Sequence, residues 1–232
     1  MALTRIGPNQ SVNLTSNVTG TLPVGNGGIG IASGTTDQFL KFTGTTTLAS
    51  AADNAGSWVK ISTVTASSSS SVDFDNLAST YQMYAIMGSQ IKPATDSANI
   101  IMNLGPGGGT YAANKTSHYW MKYNNEGDSD TQAESSTTYS LGNATGDQVL
   151  GYGLSNHGTY GKAGTLIVYL GGVGQGSAYG SFNAQLNYFG SNNYNYTTWV
   201  TGQIQGAADC VRFLPSAGNI STGKFTLFGI SQ

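Results

Sequence analysis

The chain has 232 residues, only 9% of them charged, and a formal net charge of −2. That balance excludes a nucleic-acid-binding protein that works by counterion release, because such a protein needs a basic face. Helix-forming Glu, Lys and Arg are scarce, while Gly, Tyr and the hydroxyl and amide residues abound. This composition predicts an all-β fold with a neutral polar surface.

Residues 1–56 contain neither Trp nor Tyr, and their apolar side chains alternate with polar ones. Alternation with period two predicts extended strands, and the glycines predict sharp turns. The segment has too few large apolar residues to close a core of its own. We therefore expect an extended N-terminal anchoring and oligomerisation arm that is ordered by contacts with other chains. Its predicted assembly residues are Val12, Leu14, Val18, Leu22 and Val24.

The composition changes at Trp58, where aromatic and β-branched residues become frequent. Residues 57–232 are therefore predicted to form a second, β-rich domain. Predicted strands lie at 58–66, 72–74, 81–87, 99–104, 111–123 (one or two strands), 165–170, 181–189, 197–203, 209–214 and 224–230. Residues 91–96 are predicted to form a turn, 124–136 an exposed loop and 76–80 a single helical turn. Many short strands separated by turns predict an antiparallel β-sandwich, jelly-roll-like, with less than about one tenth helix.

No motif in the chain carries a complete catalytic site. The glycine-rich residues 105–110 lack the Lys and Ser/Thr of a phosphate-binding loop. Cys210 is expected to be a buried strand residue, and His157 to lie in a solvated loop. No opposed pair of carboxylates can be singled out for glycoside hydrolysis. We therefore expect a non-enzymatic protein without a cofactor.

One acidic cluster is the remaining candidate for metal binding. Carboxylates two residues apart can share a hard cation such as Ca²⁺, although the spacing does not match an EF-hand loop. The alternative is a solvated loop without metal. The cluster consists of Glu126, Asp128, Asp130 and Glu134.

A second candidate site is a segment rich in aromatic and amide side chains. Tyr194 and Tyr196 are two residues apart, so they share a face of an extended chain. Aromatic rings offer apolar contact to a neutral sugar, and amides bind its hydroxyls. The glycan-binding hypothesis takes in Asn192, Asn193, Tyr194, Asn195, Tyr196 and Trp199. The alternative is that the same aromatics are buried in the sandwich or in a trimer interface.

Two stretches of the chain resemble virion proteins of tailed bacteriophages. Residues 17–30 (NVTGTLPVGNGGIG), followed by 35–41 (TTDQFLK), resemble the recurrent Thr-Gly-Thr-Leu-Pro-x-x-Asn-Gly-Gly-Thr-Gly element of fibre shafts, with Ile29 where Thr is usual. Residues 58–232, above all 61–67, 81–84, 91–96 and 216–230, are similar to C-terminal β domains of phage structural proteins, including those of marine and cyanobacterial phages.

The resemblance implies a virion surface protein of the tail-fibre or appendage type, forming a homotrimer and displaying its C-terminal domain for host attachment. Residues 1–10 lack the apolar core of a secretory signal, and no run of about 18 apolar residues occurs, so we expect assembly in the bacterial cytoplasm without membrane insertion. Three alternatives stay open: a capsid decoration protein or head fibre, a carbohydrate-binding module, and a fibre-borne depolymerase.

Overall fold

The computed structural model describes residues 39–42, 48–51, 58–158, 164–176 and 179–230 of a chain that divides into two compact units, 1–56 and 57–232. In the first unit, β1 (Phe39–Phe42) and β2 (Leu48–Ala51) form an antiparallel hairpin. Leu40 and Phe42 of this hairpin are exposed. The predicted assembly residues lie outside the described residues; they are Val12, Leu14, Val18, Leu22 and Val24.

The second unit consists of antiparallel strands arranged in two sheets. Its strands are β3 (Trp58–Ser69), β4 (Val72–Phe74), β5 (Met83–Pro93), β6 (Ala98–Gly105), β7 (Asn114–Asn125), β8 (Thr131–Ser136), β9 (Gln148–Leu154), β10 (Gly164–Gly171), β11 (Tyr179–Phe189), β12 (Tyr194–Gln205), β13 (Cys210–Pro215) and β14 (Ile220–Ile230). An eight-stranded sheet has the order β3-β14-β5-β10-β11-β12-β7-β8, and a four-stranded sheet has the order β4-β13-β6-β9. The described residues contain no helix, and hence none that could cross a membrane.

Eight of these strands have the connectivity of a jelly roll. They form four antiparallel pairs, β3–β14, β4–β13, β5–β10 and β6–β9, which alternate between the two sheets. A long hairpin folded over on itself produces this alternation, and it leaves one apolar face on each sheet to be buried against the other. The predicted all-β, jelly-roll-like antiparallel sandwich is thereby confirmed.

Two hairpins are added to this frame and widen its larger sheet. β7 and β8 are inserted between β6 and β9, and β11 and β12 between β10 and β13. β11 pairs with β10, and β12 pairs with β7 along the whole length of both strands. Two insertions that are far apart in sequence thus become one continuous extension of the sheet.

The core lies between the two sheets. Phe213 of the four-stranded sheet stacks on Phe225 of the eight-stranded sheet, with ring centroids 5.4 Å apart. Under the added strands the core includes tyrosine rings. Two of them, Tyr119 and Tyr188, are almost fully buried. Burial of such large rings supplies much of the hydrophobic stabilisation of the domain.

Several sequence-based expectations require correction. Residues 91–93, predicted as a turn, belong to β5: Ile91 pairs with Gly164 of β10, and the next two residues pair with β14. Pro93 is the last residue of the strand. The predicted loop 124–136 contains the edge strand β8, which has no large apolar residue and therefore no readable alternation. Residues 76–78 are irregular and 79–80 form a turn, so the predicted helical turn is absent there.

Strand β9 was not predicted, because two glycines interrupt its short apolar run. A Cβ at Gly151 would lie 2.5 Å from Leu186 Cδ2, so the close packing of this strand on the added hairpin requires glycine. Gly153 has φ of 64°, a left-handed conformation that glycine adopts without strain.

Lys115 of β7 is fully buried, which is unusual for a lysine. Its Nζ donates a hydrogen bond to the Ala113 carbonyl at 3.0 Å. Burial lowers the pKa of Lys115 to about 8, against the weaker opposing effect of the Asp147 carboxylate. The folded domain therefore releases the proton of this amine at a lower pH than the unfolded chain does.

This lysine makes stability rise with pH in a mildly alkaline window. In the unfolded chain the amine keeps its proton up to its ordinary pKa of 10.5, so between pH 8 and 10 the unfolded state binds more protons. We expect the free energy of unfolding to increase by about 1 kcal/mol from pH 7 to pH 9, measured by urea denaturation. Lys115→Met should abolish the increase, whereas Lys224→Met at an exposed position should retain it. An unchanged pH profile in Lys115→Met would contradict the assignment.

Candidate functional site

The six residues of the predicted glycan-binding segment do not form one surface. Asn192 and Asn193 lie in the turn between β11 and β12. Along β12 the side chains alternate between the two faces of the sheet, so Tyr194 and Tyr196 point to the inner face. Asn195 and Trp199 point to the opposite, outer face, which is turned away from the four-stranded sheet.

Tyr196 is a core residue rather than a binding residue. It is 6% exposed, and its ring stacks on that of Tyr188 at 5.1 Å with an interplanar angle of 7°. Asn192 Nδ2 donates a hydrogen bond to the Tyr196 hydroxyl at 2.8 Å, which satisfies this oxygen. Tyr194 is half-buried beside it, and its hydroxyl donates to Asp130 Oδ2 at 2.9 Å. The alternative of aromatics buried in the sandwich therefore holds for Tyr196.

A pair of tryptophans lies on the outer face of the added strands. Trp199 of β12 is directly opposite Trp120 of β7 in the antiparallel ladder. Their ring centroids are 5.0 Å apart at an angle of 41°, and 43% of Trp120 is exposed. We call these two residues the tryptophan pair.

Amide and hydroxyl side chains surround the tryptophan pair on the outer face. Gln185 is the cross-strand partner of Trp199 on β11, and Ser135 is that of Trp120 on β8. The next row of the ladder contains Asn187, Thr197 and Lys122. These groups are hydrogen-bond donors and acceptors placed beside apolar rings.

Two adjoining cavities lie beyond these rows, at the end of the added strands. The first has a volume of about 450 Å³, and the second of about 410 Å³. Both are lined by Asn124 and Asn195, cross-strand partners in β7 and β12. The first also contacts Asn187 and Phe189. We call this region the asparagine end.

The asparagine end is far from the place where the chain enters the domain. Trp58 at the start of β3 pairs with Ile230 at the end of β14, so these residues mark one end of the eight-stranded sheet. Following the antiparallel register strand by strand places the turns 126–130 and 190–193 at the other end. The cavities therefore lie opposite the attachment point of the N-terminal unit in the sequence.

The other half of the outer face, on β3, β14, β5 and β10, is mainly apolar at the end that contains Trp58, whereas Lys224 and Thr226 lie towards its other end. Trp58 packs edge-on against Phe228 and Tyr169, at centroid distances of 5.7 and 6.1 Å. Ala85, which lies between Phe228 and Tyr169 in the ladder, is thereby fully buried although it faces outward. We call this region the apolar half; its further members are Met83, Met87, Ile167 and Ile230.

The acidic cluster does not converge on a metal site. Asp128 Oδ1 accepts a hydrogen bond from Asn124 at 2.8 Å, and Asp130 is engaged by Tyr194. Within the described ranges, no group of three or more His, Cys, Asp or Glu side chains is placed to hold a metal ion. Elsewhere, Cys210 is fully buried and His157 lies in an exposed loop, as expected.

The sequence prediction missed Trp120, Lys122, Gln185, Asn187 and Thr197. The sequence did contain one signal, the odd spacing between Trp199 and Tyr196. Residues three apart in an extended strand face opposite sides, so these two could not belong to one surface. The pairing of Trp199 with Trp120 had no local signal, since it joins strands from separate insertions.

The two faces of β12 predict different costs of mutation. Tyr196→Ala should lower the free energy of unfolding by about 3–4 kcal/mol, because it removes a buried stacked ring. Trp199→Ala, at a half-exposed position on the outer face, should cost no more than about 1–2 kcal/mol. Urea denaturation of both variants measures the difference. Equal costs would mean that β12 does not have the described orientation.

Comparisons with known proteins give no relative for this chain. No protein-family model, no curated protein and no solved structure matches it. What the domain does must therefore be inferred from its own residues, surfaces and topology.

Proposed function

We propose that the chain is a non-enzymatic structural protein of a bacteriophage virion, of the tail-fibre or appendage type. The N-terminal arm docks on the particle, and the jelly-roll domain is displayed for attachment to the host surface. The sequence support is the resemblance of residues 17–41 to fibre shafts. The structural observation that carries the proposal is that the chain enters the domain at one end of the large sheet, while the polar cavities lie at the other.

Self-association is the second part of the proposal. Large apolar side chains exposed side by side are uncommon on monomeric domains and mark interaction surfaces. Trp58, Met83 and Met87 of the apolar half are each more than a third exposed. Together with the fibre-shaft resemblance, which implies three copies, this surface supports a homotrimer in which the apolar half is covered by a neighbouring copy.

A capsid decoration protein or head fibre is the alternative location on the same kind of particle. It has the same architecture, an anchoring arm and a displayed β domain. The two differ only in where residues 1–56 dock, so electron microscopy of particles labelled with an antibody against the jelly-roll domain distinguishes them.

Removal of the arm should separate folding from incorporation. The second unit has its own core, so a chain lacking residues 1–50 should keep its thermal unfolding transition. We expect it to be lost from purified virions, as measured by quantitative mass spectrometry against the full-length chain. Incorporation at full occupancy would contradict the anchoring role, and absence of the full-length chain from virions would contradict the whole proposal.

A charge in the apolar half should weaken the trimer. Met87 is exposed on the isolated domain, so Met87→Glu should leave the fold intact while placing an unpaired carboxylate in the interface. Light scattering of the full-length chain should show a trimer for wild type and monomer for Met87→Glu. Thr201→Glu, at an exposed position elsewhere on the outer face, is the matched control and should stay trimeric. A monomeric wild type would contradict the homotrimer.

A further inference from the structure

The tryptophan pair exposes aromatic surface in a region that is otherwise polar. Between Tyr179 and Phe189 at the two ends of β11, the outward side chains of β11, β12 and β7 are amides, hydroxyls and single basic groups, with the two indoles in the middle. The indoles have no apolar neighbours of the kind that surround Trp58 in the apolar half. An exposed aromatic pair set among hydrogen-bonding groups is typical of a ligand surface rather than of a packing surface.

The spacing of the polar groups is fixed by the sheet. Neighbouring strands are about 4.8 Å apart, and outward residues of one strand repeat every 6.6–6.8 Å. Gln185, Thr197 and Lys122 therefore lie within one or two such steps of the indole rings. Trp199 and Asn195 are four residues apart on β12, which corresponds to about 13 Å of extended strand. The surface is thus an elongated track from the tryptophan pair to the asparagine end.

The cavities at the asparagine end have the size of ligand sites. Volumes of about 450 and 410 Å³ fall within the range of small-molecule pockets. Their linings supply amide groups from Asn187 and Asn195, which can both donate and accept hydrogen bonds. The amide of Asn124 already donates to Asp128 and accepts from Thr131, which leaves it one N–H and one lone pair. Phe189 adds an apolar wall. This combination suits a ligand that carries hydroxyls on a partly apolar ring.

The charged side chains around the track indicate which class of ligand it can bind. Lys122 and Asp128 both line the second cavity, while Glu126 lines the first. Charges of both signs at the rim offer no net attraction to a polyanion such as nucleic acid, which needs a basic surface. A protein partner would leave many of the surrounding amides desolvated and unpaired. A neutral, hydroxyl-rich ligand matches the track in charge and hydrogen bonding.

We propose that the tryptophan pair and the asparagine end form a binding site for a neutral oligosaccharide. One pyranose ring stacks on the indoles, and the following sugar units extend along β12 to the asparagine cavities. This site replaces the one expected from Tyr194 and Tyr196, whose rings face the inner side of the sheet. The inference rests on the proposed display function, because it names the class of host molecule that the displayed domain contacts.

A single site of this kind binds weakly. Hydrogen bonds to sugar hydroxyls add little net affinity, since water is displaced from both partners. A dissociation constant on the order of millimolar, about −4 kcal/mol, is the expected scale. Three sites in a trimer raise the avidity for a repetitive polysaccharide without new contacts.

Affinity gel electrophoresis of the full-length chain tests the site. The probes are four neutral polysaccharides, an α-glucan, a β-glucan, a mannan and a galactan, with heparin as the polyanion. We expect at least one neutral polysaccharide to retard wild type, Trp199→Ala and Trp120→Ala to reduce the apparent affinity at least tenfold, and Trp199→Phe to recover part of it. Tyr179→Ala removes an aromatic that is 68% exposed at the other end of the same face and should bind as wild type does.

Wild type bound to the retarding polysaccharide should also show slower oxidation of its tryptophans by N-bromosuccinimide, a readout that does not depend on any variant folding. No retardation by any neutral polysaccharide, retardation by heparin alone, or equal binding by Trp199→Ala overturns the inference. Virion incorporation without sugar binding would retain the proposed function and remove this site. Sugar binding by a chain absent from virions would retain the site and indicate a carbohydrate-binding module instead.

Discussion

The antiparallel pairing of β12 with β7 is the interaction on which the outer surface of the domain depends. The two strands belong to hairpins inserted at different points of the jelly roll, and the ladder between them turns both into one sheet. Its register places Trp199 opposite Trp120 and Asn195 opposite Asn124. A slip of one residue would turn every side chain of one strand to the other face and bury its polar groups. The inner face opposes such a slip, because it would separate Tyr196 from its cross-strand partner Tyr123 on β7, whose ring centroid lies 5.3 Å away.

The added hairpins therefore divide core packing from solvent contact across the thickness of one strand. Inward residues of the added hairpins complete the core, and they tolerate little change because packing is dense. Outward residues contribute little to folding and can vary with the molecule that they contact. The same division recurs along the sheet, where the apolar half contains few hydrogen-bonding side chains and the track around the tryptophan pair contains many. Lys115 is an exception, since it places a titrating amine in the interior.

Local pattern in the sequence predicted the class of fold and most strands of the frame, because alternating apolar residues such as those of β10 and β14 face a shared core. It failed for β8, which has no apolar period, and for β9, where Gly151 and Gly153 break the pattern. The spacing of Tyr194 and Tyr196 correctly put them on one face, but spacing alone does not say which face is buried. The tryptophan pair could not be predicted from local pattern, because its two residues are 79 positions apart in the sequence and meet only through the pairing of β7 with β12.

The opposite placement of the domain's start and its asparagine end has a mechanical consequence. A force applied between Trp58 and the asparagine end loads the sheet along its strands. Tension then runs from β3 across β14, β5, β10 and β11 into β12, and the hydrogen bonds of each ladder are sheared together. Pulling Trp58 away from Ile230 would instead unzip the β3–β14 ladder one bond at a time. A force between these two ends therefore acts in the direction in which the sheet resists most.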